Sequence, residues 1–85
     1  MASYSVLIKR SAAGELEALP KKDRPRVAGR IGALAAEPRP PGCEKLSGND
    51  KFRIRQGDYR IVYAVDDVAR TVVVVKVAHR REVCR

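Results

Sequence analysis

Residues 71–78 read Thr71-Val72-Val73-Val74-Val75-Lys76-Val77-Ala78, and they are apolar at odd and even positions alike. A strand sends successive side chains to opposite faces, so a run of this kind belongs in the middle of a sheet, with helices over at least one face. An 85-residue chain can place only one such sheet in one small domain, spanning residues 1–85, with limited burial. Hydrophobic residues make up 45% of the chain, enough to fold rather than stay disordered. Phe52, Tyr4, Tyr59 and Tyr63 are the only aromatics, so the core must be built mainly from Val, Leu, Ile and Ala.

The preceding segments supply the other elements. Tyr4-Ser5-Val6-Leu7-Ile8-Lys9 is rich in β-formers and predicts a first strand. Ser11 is placed to cap a short helix carrying Leu16 and Leu19 and closed by Pro20. A second helix is expected from about Asp23, with Pro25 in its first turn, where the missing N–H costs nothing. Val27, Ile31 and Leu34 form its apolar stripe, and Arg26 and Arg30 are expected to point outward. Pro38-Arg39-Pro40-Pro41-Gly42 ends the helix and predicts a stiff connection. Two strands at 51–56 and 59–65 then precede the valine-rich one. The expected fold is α+β in the order β-α-α-β-β-β, with a mostly antiparallel sheet and both helices on one face.

The two middle strands carry the charge pattern that points to function. Phe52 and Ile54 go to one face, and Arg53 and Arg55 to the other. Gly57-Asp58 is a tight turn, and Arg60 returns on the next strand close to the first two arginines. Like charges facing each other across strands are destabilising, so three guanidinium groups together point to a polyanion that they hold. The net charge of +8 and a pI near 10.1 agree, favouring nucleic acid, the ribosome, an acidic protein or an anionic membrane surface. No apolar run is long enough to span a bilayer and no hydrophobic signal segment opens the chain, which makes the cytoplasm the default compartment. Cys43 and Cys84 read as two thiols, and one His with two separated Cys gives no zinc spacing. No metal or other cofactor is called for.

Three groups of residues within 45–85 carry a resemblance to a known family. They are Lys45-Leu46-Ser47-Gly48 with Phe52-Arg53-Ile54-Arg55, then Gly57-Asp58-Tyr59-Arg60-Ile61-Val62-Tyr63, then His79-Arg80-Arg81-Glu82-Val83. In combination the chain resembles RelE-type toxins of the RelE/ParE toxin–antitoxin superfamily. The resemblance implies a RelE-like, microbial-RNase-like fold and a toxin that cuts mRNA in the ribosomal A site. It also implies a cognate antitoxin, expected to be acidic and partly disordered when free, that wraps and silences the toxin. By the same resemblance Arg55, Arg60, Arg80 and Cys84 occupy the catalytic positions, with Arg80 as the leaving-group acid. Lys51, Arg53, His79, Arg81 and Arg85 are the residues expected to grip RNA.

The chemistry suits these side chains. RNA carries its own nucleophile, the 2′-hydroxyl, beside each phosphate. A protein need only align the backbone, assist two proton transfers and stabilise charge on the transition state. A guanidinium presents a planar fork of donors to phosphate oxygens, and preorganised positive charge is often the largest catalytic term. Two positions depart from the family pattern. Arg55 stands where the best-known members have lysine, and with a pKa above about 12 it accepts a proton poorly. Cys84 stands where the family has a base-stacking tyrosine. His79, with an ordinary pKa of about 6.5, is another candidate proton carrier. Read without the resemblance, the same residues admit a plain nucleic-acid-binding module, and within the superfamily a ParE-like inhibitor of DNA gyrase without nuclease activity.

Overall fold

A computed structural model describes residues 3–46 and 50–79 as a five-stranded sheet with two helices against one face. The elements are β1 (Ser5–Ile8), α1 (Arg10–Glu17), α2 (Arg24–Ala33), β2 (Glu44–Lys45), β3 (Lys51–Gln56), β4 (Tyr59–Asp66) and β5 (Thr71–His79). Their order across the sheet is β1-β5-β4-β3-β2. β5 is therefore interior, as its composition requires. It pairs antiparallel with β4 and parallel with β1, where Ser5 faces Thr71 and Ile8 faces Val74.

A bulge resolves the one polar residue in the valine run. Tyr63 pairs with Val74 but Val62 pairs with Lys76, so Val75 is an extra residue on β5. Strict alternation from Val72 and Val74 would drive Lys76 into the core. The bulge puts Val77 there instead and leaves Lys76 exposed. Beyond Val74 the chain of β1 has already left the edge of β5. The N–H of Val77 donates to Glu15 Oε1 at 2.8 Å, so a side chain from α1 takes the place of a strand. Lys76 Nζ lies 3.4 Å from the other oxygen of Glu15.

The core lies between the sheet and the helices. Val27 and Ile31 of α2, Leu34 at its C-cap and Ala12 of α1 meet Phe52, Ile54, Ile61, Tyr63, Val65, Val72, Val74 and Val77. The phenol of Tyr63 is buried and donates to the carbonyl of Pro38 at 2.7 Å, fixing the proline connection to the middle of β4. Burial pushes the Tyr63 phenol well above its ordinary pKa. Arg39 ties the same connection to the β4–β5 turn through a bidentate pair with Asp67, at 3.2 and 2.8 Å, and lies over the Phe52 ring. The hydroxyl of Tyr4 donates to Asp67 at 2.6 Å.

Three local expectations are corrected. Lys9, not Ser11, is the N-cap of α1, and it makes no side-chain cap bond; the chain turns directly from β1 into the helix, leaving Ser11 inside it. α1 ends at Glu17, so Leu19 sits in the following turn and Pro20 does not close the helix. A two-residue strand, β2, follows the prolines and borders β3. α2 begins beside Asp23, as expected, with Pro25 in its first turn; the Asp23 carboxylate accepts from the Tyr59 hydroxyl at 3.1 Å and not from the helix backbone. Among the described residues no helix is long and apolar enough to cross a membrane.

Candidate nucleic-acid interface

The β3–β4 hairpin brings the arginines together. Its turn, Gly57-Asp58, needs a left-handed residue, and Gly57 supplies it at φ +60°. The register then sets Arg55 directly opposite Arg60, and Arg53 opposite Val62. Alternation puts Lys51, Arg53, Arg55 and Arg60 on the face away from the helices, because Phe52, Ile54 and Ile61 are buried beneath them.

Arg53, Arg55 and Arg60 line a groove of about 250 Å³ with Arg30, Gly42, Glu44 and Ile54. The formal charge of these lining side chains is +3. Glu44 lies opposite Arg53 in the β2–β3 register, and its Oε1 accepts from Arg53 Nε at 3.1 Å and from a terminal nitrogen at 2.6 Å. The Arg53 hydrogen bond holds the Glu44 carboxyl below the usual carboxylate range, with the charges of Arg53, Arg55 and Arg60 adding to it. A carboxylate oxygen receiving a guanidinium fork resembles a phosphate oxygen doing the same. The groove is therefore shaped to take an oxyanion, with Glu44 at its rim.

Other expected site residues fall elsewhere. Lys51 is exposed at the start of β3, opposite Ala64, and does not line the groove. His79 faces Tyr59 in the β4–β5 register, and its ring meets the Tyr59 ring edge-on at 5.6 Å. It lines a separate recess with Glu15, Leu19, Val77 and Ala78. Arg80, Arg81, Cys84 and Arg85 lie outside the described residues. Cys43 is a free thiol. Among the described residues no group of His, Cys, Asp and Glu side chains could hold a metal ion.

Arg30 is the residue that the outward-facing expectation missed. It is half-buried and reaches the arginine groove from α2, whereas Arg26 is exposed as expected. The signal was present in the spacing: Val27, Arg30, Ile31 and Leu34 fall at i, i+3, i+4 and i+7, so Arg30 sits within the apolar stripe.

Comparison with known proteins identifies the family and the fold. The family described as ParE toxin of the type II toxin–antitoxin system parDE matches residues 6–84. Toxin RelG of Mycobacterium tuberculosis is 33% identical over 90 aligned residues, which cover 96% of this chain and 97% of that protein. A chain of the toxin–antitoxin complex RelBE2 from M. tuberculosis superposes with a TM-score of 0.81 at 32% identity, covering 93% of this chain and 100% of that one. A chain of the archaeal RelE–RelB complex from Pyrococcus horikoshii gives 0.78 at 29% identity, covering 91% and 94%. The Escherichia coli RelBE complex, at 23% identity and a TM-score of 0.78 over 89% and 95% of the two chains, shares the fold. The chain belongs to the RelE/ParE family of type II toxin–antitoxin toxins.

Proposed function

We propose that this toxin is a ribosome-dependent endoribonuclease that cuts mRNA in the ribosomal A site and thereby stops translation in the cytoplasm. The observation that carries the reading is the register of the hairpin, which sets Arg55 against Arg60 beside Arg53 in one groove. The 2′-oxygen of the RNA attacks the adjacent phosphorus as its proton passes to water. The bond to the 5′-oxygen breaks, and that oxygen takes up a proton, leaving a 2′,3′-cyclic phosphate. Arg55 and Arg60 bind the non-bridging oxygens and stabilise the charge that grows on them. Arg80 supplies the leaving-group proton or its charge. Arg53, Lys51, His79, Arg81 and Arg85 contact neighbouring phosphates, and Cys84 takes the place of a base-stacking ring. With no efficient proton acceptor in Arg55, alignment by the ribosome provides much of the rate, a contribution that can reach several orders of magnitude.

Relatives are solved as complexes with RelB antitoxins. We extend that pairing to this chain: an acidic antitoxin, partly disordered when free, covers the arginine face when the toxin is idle. The test is cleavage of mRNA on programmed ribosomes by the purified toxin. Arg80→Ala should lower the single-turnover rate by roughly two orders of magnitude or more with near-normal binding, and Arg81→Ala should change little. Rapid cleavage of naked RNA would refute the dependence on the ribosome. The ParE description of the matching family favours one other reading, inhibition of DNA gyrase. Gyrase inhibition without RNA cleavage would establish it in place of the nuclease, and salt-sensitive RNA binding without either activity would reduce the chain to a binding module.

A further inference from the structure

α2 buries an apolar stripe with two half-buried arginines on the same side: Arg24, whose terminal nitrogen donates to the Leu19 carbonyl at 3.2 Å, and Arg30. Val27, Ile31 and Leu34 are 1%, 3% and 1% exposed. Arg30 shares their side of the helix, and its Nε is buried without a hydrogen-bond partner among the described residues. A desolvated donor without a partner is costly, and a Leu or Met would fill the same position without that cost. The packing of α2 thus gives no reason for a guanidinium here.

The groove does give one. β2 covers β3 only at Phe52 and Arg53, so among the described residues no strand covers Ile54, Arg55 and Gln56 on that side. Arg30 reaches across this gap and lines the groove with Arg53, Arg55 and Arg60. A lining charge of +3 exceeds what one phosphodiester neutralises, and two successive phosphates of one strand match it better.

We propose that Arg30 is a phosphate-binding residue of the toxin, holding the phosphate next to the scissile one as the RNA strand passes from the open sheet face around the uncovered edge of β3. The assignment rests on the ribonuclease reading and extends it by a residue from the helical layer. Arg30 positions the strand and does not touch the reacting atoms. An arginine suits the role because its fork can bind a phosphate with the terminal nitrogens while the stem stays against the core.

The test is binding of a short single-stranded RNA, 2′-O-methylated throughout so that it cannot be cut, followed by fluorescence anisotropy over a salt series. Arg30→Met should weaken binding about tenfold or more. The slope of log K against log salt should become shallower by roughly 0.7, the share of one phosphate contact on a single strand. The melting temperature of Arg30→Met should stay level or rise, because a buried donor without a partner has been removed. Arg30→Lys keeps the charge and should keep the slope. Arg10→Gln, an exposed charge outside the groove, should leave affinity and slope near wild type. A merely structural Arg30 would give the reverse pattern, with lower melting temperature and unchanged slope, and that result overturns the proposal. If Arg30→Met binds like wild type while wild-type toxin still cuts mRNA on ribosomes, the Arg30 assignment fails and the nuclease stands. If wild type neither binds the RNA nor cuts mRNA, both fall.

Discussion

Replacing Tyr63 by Phe removes one oxygen from the centre of the sheet. The Tyr63 side chain is fully buried, and its hydroxyl donates to Pro38 at 2.7 Å. The ring itself stacks on Phe52 at 5.8 Å and would remain, so no cavity opens. The cost at neutral pH is then the hydrogen bond, about 0.5–1.5 kcal/mol net, plus part of the desolvation cost of the Pro38 carbonyl left without its donor. A total of about 1–2 kcal/mol corresponds to a fall of roughly 5–15 °C in melting temperature for a domain of this size. The pH dependence supplies a second, independent readout. The folded-state pKa of Tyr63 is raised above the ordinary 10.0. Its stabilising share is therefore complete below pH 10 and is lost as pH rises beyond that, because the unfolded chain ionises first. The Phe variant lacks this share. The gap between wild type and Tyr63→Phe, measured by thermal or urea unfolding, should be widest near pH 8 and shrink as pH climbs past 10. A gap that stays constant to pH 11, or a variant as stable as wild type at pH 8, would refute this account of Tyr63.

Glu44→Gln removes the carboxylate that competes with phosphate for Arg53, so RNA affinity at low salt should rise severalfold; weaker binding in the anisotropy assay would show that Glu44 aids the site instead. Glu44 and Asp67 are both held below the ordinary carboxylate range, chiefly by hydrogen bonds from Arg53 and Arg39 respectively. Depressed pKa values give stability that is present above the unfolded values of 4.5 and 3.8 and is lost as pH falls through the folded ones. Melting temperature should therefore drop below about pH 4.5, and Asp67→Asn should flatten that acid limb. An acid limb of unchanged slope would mean that the Arg39–Asp67 pair contributes nothing.

What could be read from the chain was whatever local periodicity encodes. Alternation alone put Arg53 and Arg55 on one face of β3, and the Gly57-Asp58 turn fixed the register that brings Arg60 to them. The stripe of α2 and the interior place of the valine strand followed in the same way. The parallel partnership of β1 with β5 was not legible, because nothing in Val6-Leu7-Ile8 specifies which distant strand it will join. β2 escaped because two residues carry no period, and its pairing depends on where the proline connection is held by Tyr63 and Arg39. The bulge at Val75 was hidden by its own composition, since one more valine among valines leaves no mark. Arg30 is ambiguous in the sequence, because its charge argues for solvent while its spacing argues for the apolar stripe.

The pairing of β1 with β5 also governs when the toxin comes into being. The partner residues Ser5 and Thr71 are separated by most of the chain, and the loop between them must be closed before their contact returns any free energy. The β3–β4 hairpin, with its arginines, is local and can form early. The sheet that holds it rigid can close only after β5 has been synthesised. During folding the chain therefore carries the charges of the site before it has the frame to aim them. For a protein proposed to attack the machinery that makes it, late closure is a delay built into its topology.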